Sequence, residues 1–257
     1  MQNEKITLYT YATSPYGTKV YWALIYKRLD FDLVYVSPIH QNQIRFTNQK
    51  VVPVLRIGDE WRLDSTPLCR WLDELYPEPA LTGRDAQEEA AIREADEWVT
   101  HNLIALGFRL MVDKDMRFPA FKAGRKLVKT LRETSGDVPW AMQFAWSTIL
   151  SRVGFINRDA ARTDMSKPFR QVQREIIEEL DGKLTNADYI AGTDRPSYAD
   201  IAAFAQIASA TENDMRHLVR ASDTPAIQAW FDRMAAAMPE RCEPPLVPGR
   251  QPEFLTA

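Results

Sequence analysis

Cysteine and histidine are scarce in this chain. Two cysteines, Cys69 and Cys242, are too few for a disulfide framework, and their separation fits neither a metal knuckle nor a redox pair. A reducing, cytoplasmic setting is the expectation. The three histidines, His40, His101 and His217, stand far apart, so no metal site is expected. No uninterrupted apolar run is long enough to span a bilayer. The opening residues, Met1 to Lys5, are polar and carry no apolar signal segment. Charge of one sign is lacking too. A net charge of −3 gives no electrostatic reason to expect nucleic acid or an anionic membrane as a partner. What the chain does have is 45% hydrophobic residues over 257 positions, enough for a packed core and one or two domains.

The first eighty residues and the remainder follow different periods. Ile6 to Tyr11 alternates and is β-rich, which predicts a strand. Ala12 to Gly17 reads as a turn, and a helix is expected to run on to about Leu29. Leu33 to Val36 predicts a second strand, and Gln43 to Asn48 a short helix or loop. Two strand-like runs, Pro53 to Ile57 and Glu60 to Leu63, are joined by Gly58-Asp59 as a tight hairpin. Thr66-Pro67 is expected to start the next helix, with Thr66 as its cap. The order is β-α-β-α-β-β-α. A βαβ crossover followed by a hairpin gives a four-stranded mixed sheet.

Residues 80–86 read as a linker between a domain at 1–79 and an all-helical domain at 87–238. Helical periods run through Ala91 to Leu106, Leu127 to Leu131, Trp140 to Val153 and Phe169 to Leu184. Ser197-Tyr198-Ala199-Asp200 is a capping-box variant ahead of an apolar run, and Thr224-Pro225 opens a last helix. Phe155 to Pro168 reads as an insertion, either a lid or a surface loop. The Pro-rich tail, 239–257, is expected to be extended.

Several segments in this order carry a resemblance. Ser14-Pro15-Tyr16-Gly17-Thr18-Lys19-Val20 follows the first strand, Val51-Val52-Pro53-Val54-Leu55 opens the third, and Asp64-Ser65 follows the fourth. With Tyr189-Ile190-Ala191-Gly192 and Ser197 to Ile201, they make the chain resemble the soluble glutathione transferase family from about Ile6 to Met238, on the serine-type branch. The resemblance implies an α/β N-terminal thioredoxin-like domain followed by an all-α C-terminal helical domain. It also implies glutathione as cosubstrate without a metal, a small electrophilic substrate and a homodimer.

It implies a site as well. A cis bond before Pro53 would leave the backbone of Val52 free to pair with the cysteinyl part of glutathione like one rung of a ladder. Ser65, at a helix start, would hold the γ-glutamyl carboxylate, and Asp64 the γ-glutamyl ammonium. The family usually has Glu or Gln where this chain has Asp64. Lys50, or Gln49 beside it, would meet the glycine carboxylate, unless Lys50 is simply a solvated surface residue. The thiolate, which is the nucleophile, would be stabilised by the hydroxyl of Ser14 together with a helix N-terminus, and Ser14 could equally be a helix cap. Tyr9, Tyr11 and Tyr16 are rival hydroxyls. Tyr11, Tyr16, Trp98, His101 and Phe108, with Met111 and Phe118, are candidate walls for the second substrate. Gly17-Thr18 and the short Asp64 leave open a second reading, a transferase-like binding or scaffold protein without catalysis.

Overall fold

The computed structural model describes residues 4–212 and 224–255. His217 lies outside them. The sheet is built on β1 (Ile6–Thr10). β2 (Asp32–Tyr35) runs parallel to it on one side; on the other, β3 (Val54–Ile57) pairs antiparallel with β1 and β4 (Glu60–Leu63) antiparallel with β3, in the order β2-β1-β3-β4. Leu8 faces both Leu33 and Leu55 across the ladder, so the mixed sheet expected from the sequence is present. A short 3-10 segment, Asn42–Thr47, precedes β3.

Helix α1 (Pro15–Tyr26) connects β1 to β2, and every residue from Gly17 to Tyr26 is buried. It lies between the sheet and the helical domain, so it has no solvent face on which to place its cations. They are instead paired. The Lys19 ammonium donates to Asp96 at 2.6 Å and to the Thr66 hydroxyl at 2.8 Å, and Thr66 donates to the other Asp96 oxygen at 2.5 Å. Lys27 meets Asp73 at 2.5 Å and donates to the carbonyls of Tyr76 and Pro79. Asp73 in turn accepts the N–H groups of Leu81 and Thr82, which fixes the linker. Thr66 is therefore not the cap of its helix. Helix α2 (Ser65–Leu75) starts two residues earlier than a Thr66 cap would place it, with Asp64 in the cap position, and the Thr66 hydroxyl is committed to the buried ion pair.

In the helical domain, Asp85 caps α3 (Ala86–Val99) by accepting from Gln87 and Glu88. A π-helical turn, Thr100–Ile104, joins it to α4 (Ala105–Val112). Helices α5 (Arg117–Ser135) and α6 (Met142–Leu150) form a pair joined through Gly136, whose φ of +77° suits glycine. A helix, α7 (Gly154–Ala160), occupies part of the stretch expected to be an insertion. Seven residues are too few for a periodic signal. It packs on α4, and buried Arg109 of α4 secures the chain beyond it by donating to the carbonyls of Asp164 and Lys167.

Helices α8 (Phe169–Thr185), α9 (Tyr198–Glu212) and α10 (Pro225–Ala237) complete the domain. The capping box at α9 is present with its roles rearranged. The wholly buried Asp200 carboxylate accepts the Ser197 N–H and hydroxyl, the Ile190 N–H and the Trp230 indole N–H. The tail folds back. Gln251 bonds both the N–H and the C=O of buried Cys242, Tyr21 donates to the Pro244 carbonyl, and Phe254 packs edge-on to Phe204 of α9 and Phe231 of α10.

Candidate functional site

Strand register gathers the site. Tyr9 of β1 faces Val54 of β3, and Val54 faces Leu63 of β4. The residues just beyond these three positions therefore share one edge of the sheet: Tyr11 to Ser14 after β1, Val52-Pro53 before β3, and Asp64-Ser65 after β4. Three separate stretches of sequence converge there because the two antiparallel pairings bring them together.

Ser14 occupies the cap position of α1, with Pro15 in the first turn. It is buried, and its Oγ accepts the Gly17 N–H at 3.1 Å. One lone pair of the hydroxyl is used by the cap, and its hydrogen remains available to donate. Gly17 is required by packing. A Cβ built on it would sit 1.7 Å from the Thr10 hydroxyl oxygen, so the first turn of α1 lies against the end of β1. The unusual Gly17 is thereby explained by the approach that places Ser14.

The Val52-Pro53 peptide is cis, and Val52 lies outside the strand pairing, whose last rung is Tyr9 with Val54. Asp64 has φ +71°, a left-handed value rarely held by a non-glycine residue, and it makes no side-chain cap bond. Its carboxylate is exposed, while Ser65, the first residue of α2, is buried. Two helix N-termini, those of α1 and α2, thus border the same edge and supply free N–H groups and positive dipole ends for an anion. Gln49 and Lys50 are exposed in the chain leading to the cis bond.

The tyrosines separate by their partners. Tyr16 donates to Asp159 of α7 at 3.3 Å, and burial together with the Asp159 carboxylate pushes its phenol up to about 12. That hydroxyl is already engaged. The Tyr11 hydroxyl accepts from Gln41 at 2.6 Å, and the same Gln41 nitrogen reaches the Lys50 carbonyl. Burial raises the Tyr11 phenol, opposed by the Gln41 bond. Tyr9 packs against Phe46. Among these hydroxyls, Ser14 alone caps a helix N-terminus.

On the helical side, Phe108 lies 6.3 Å from the Tyr16 ring and 6.0 Å from Phe155, forming an aromatic wall next to the α1 terminus. Trp98 is elsewhere, with Lys183 of α8 over its ring at 5.4 Å. His101 is exposed on the π-helical turn, Phe118 is exposed on α5, and Met111 packs on the main core. Gln41, Asp159 and Phe155 are new members of the surroundings. No motif marks Gln41, and the other two fall in the stretch read as an insertion. Among the described residues, no cluster of His, Cys, Asp or Glu could hold a metal.

Residues 8–80 match the model of the glutathione S-transferase N-terminal domain, and residues 141–237 that of the C-terminal domain. The chain belongs to the glutathione S-transferase family. Glutathione S-transferase Z1 of Arabidopsis thaliana is 35% identical over 97 residues, covering 36% of this chain and 44% of that protein. Maleylacetoacetate isomerase of Mus musculus is 28% identical over 110 residues, covering 40% of this chain and 51% of its own length. The chain thus spans about half the length of these two curated relatives. Over the whole fold, a glutathione S-transferase from Rhodospirillum rubrum F11 superposes with a TM-score of 0.62 at 21% identity, covering 98% of each chain. The transferase fold therefore places Ser14 where β1 meets α1, beside the cis-proline edge.

Proposed function

We propose that this transferase-family chain binds glutathione along the edge formed by Val52-Pro53 and Asp64-Ser65, and directs its sulfur at a small electrophile lying against Tyr16 and Phe108. The observation that carries the reading is the geometry of Ser14. Its oxygen is held by the Gly17 N–H, so its hydrogen is left to donate to a thiolate already favoured by the α1 terminus. The thiol proton passes to solvent, and a sulfur lone pair forms the new C–S bond as the π bond of the attacked carbon breaks, its electron pair moving to the far end of the electrophile, which takes up a proton from solvent. Proximity of two bound reactants supplies the remaining acceleration.

In this reading Val52 pairs with the cysteinyl backbone, Ser65 and the α2 terminus hold the γ-glutamyl carboxylate, and Asp64 reaches the ammonium. Lys50 or Gln49 meets the glycine carboxylate. No metal takes part. A detoxifying role as a cytoplasmic homodimer belongs to the same proposal. The similarity to an isomerase supports a second outcome of the same addition. If the adduct collapses after rotation about the attacked bond, glutathione is regenerated and the substrate is isomerised rather than conjugated.

Calorimetric titration of glutathione into the natural protein and Ser14→Ala, with thiolate absorbance followed against pH, tests the proposal. An unperturbed thiol titrates near ~8.5. The bound thiol is expected well below that in the natural protein and raised in Ser14→Ala, with binding largely kept. Absence of binding at millimolar glutathione would leave the non-catalytic scaffold reading in its place.

A further inference from the structure

The net charge of −3 conceals an uneven distribution. Helix α5 alone carries six cations and one acid, an excess of five positive charges, so the rest of the chain carries −8. Phe118, Lys122, Arg125, Lys129 and Arg132 recur at intervals of three and four, and all are exposed, so they form one stripe along the helix. Among the described residues no carboxylate pairs with Lys122, Arg125 or Arg132. Lys122 lies over the Phe118 ring at 4.6 Å, and Arg125 is 6.0 Å from the rings of both Phe121 and Phe144.

Helix α6, which packs beside α5, contains no charged residue and leaves Phe144 and Ile149 exposed. Trp140, 60% exposed, stacks edge-on against Phe144 at the start of this helix. Cations and large apolar side chains thus share one face. Phe155, half exposed on α7, leads from that region to Phe108 and Tyr16.

We propose that the α5–α6 face docks the protein on an anionic lipid surface. The cations meet headgroup phosphates, while Trp140, Phe144 and Phe118 enter the zone between headgroups and acyl chains, where aromatic rings are favoured. The −8 carried elsewhere is repelled by the same surface, which fixes the orientation with α5 and α6 towards the lipid. That residual charge also argues against a nucleic acid wrapping the protein. Docking would place the Phe155–Phe108 wall near the bilayer, next to membrane-dissolved apolar electrophiles.

Co-sedimentation of the full chain with vesicles of phosphatidylcholine alone, and with about 30% phosphatidylglycerol added, tests the proposal. Binding is expected on the anionic vesicles only and should be released by about 0.5 M salt. Lys122→Glu with Arg125→Glu should lower the partition at least about thirtyfold, the size expected from losing two cations near the surface even before the added repulsion. Phe118→Ser with Phe144→Ser should lower it while keeping its salt dependence. Thermal unfolding of each variant shows that the fold is intact. Failure to bind anionic vesicles, or binding that charge reversal leaves unchanged, overturns the proposal. So does charge reversal that splits a dimer in sedimentation velocity, which would assign the face to a second copy of the chain.

Discussion

Helix α1 and the α5–α6 pair handle the same side-chain types in opposite ways. In α1, ten consecutive residues are buried, and Lys19 and the following Lys27 end on Asp96, Thr66, Asp73 and backbone carbonyls. In the stretch from Phe118 to Met165, six large hydrophobic side chains stand exposed, and cations without a carboxylate partner lie over aromatic rings. Four exposed large hydrophobics are spread over the other described residues. The first region has its polar groups satisfied internally and presents only the edge that carries Ser14. The second leaves surface and charge uncompensated. A scaffold that holds a constant cosubstrate needs the first arrangement. The part that selects a variable partner can use the second.

This contrast makes substitutions in the two regions unequal, and the largest effect is expected at Asp96. Asp96→Ala leaves Lys19, 1% exposed, as a buried charge without its counterion. Breaking a buried pair from one side costs about 3–5 kcal/mol, read as a lowered midpoint in urea unfolding. A loss below about 1 kcal/mol would mean that Lys19 reaches water, and the contrast between the regions would weaken.

Gly17→Ala comes next. The new methyl meets the Thr10 hydroxyl at an impossible separation, so α1 must move away from β1. Overpacking of this kind costs about 1–3 kcal/mol, and it displaces Ser14. Glutathione affinity measured by calorimetry should fall along with stability, and Thr10→Ala in the same chain should recover part of both. Loss of stability with unchanged affinity would detach Ser14 from the packing argument.

How far the sequence could be read follows the same division. β1, the 60–63 strand and the capping box are local signals: alternation, a Gly-Asp turn, and an acid three residues after a serine. They appear close to the expected positions. The Thr66 assignment failed because a tertiary partner 30 residues away, Asp96, takes its hydroxyl, and no local rule reports that. Helix α7 is too short to show a period. The folded-back tail depends on long-range partners, Phe254 finding Phe204 and Phe231 and the Pro244 carbonyl finding Tyr21, which no local pattern reports. Ser14, Val52-Pro53 and Asp64-Ser65 each sit at the end of an element, so their common place at one sheet edge follows from the predicted element order, while their role at a glutathione site belongs to the proposal. The resemblance offers Trp98 and His101 as pocket walls, but their surroundings, Lys183 over the Trp98 ring and an exposed His101 on the π-helical turn, depend on tertiary packing that no local pattern reports.

Ser197→Ala gives a smaller effect. It removes one hydrogen bond to a wholly buried carboxylate, and three donors to Asp200 remain. A loss of about 0.5–2 kcal/mol in unfolding free energy is expected, typical of a cap. Glutathione affinity should be unchanged in the protein that remains folded. A selective fall in affinity would give Ser197 a role beyond its bond to Asp200.

The smallest effect belongs to the exposed face. Phe118 is 66% exposed and packs mainly with Lys122, so Phe118→Ser removes little buried area. Surface changes of this kind stay within about ±0.5 kcal/mol. Thermal unfolding in the absence of lipid should therefore be nearly superimposable on that of the natural protein. A fall of more than about 1 kcal/mol would show that the ring is already part of a packed contact in solution, for instance with a second copy. The face would then be covered in the same sense as α1, and the difference between the two regions would be one of partner rather than of design.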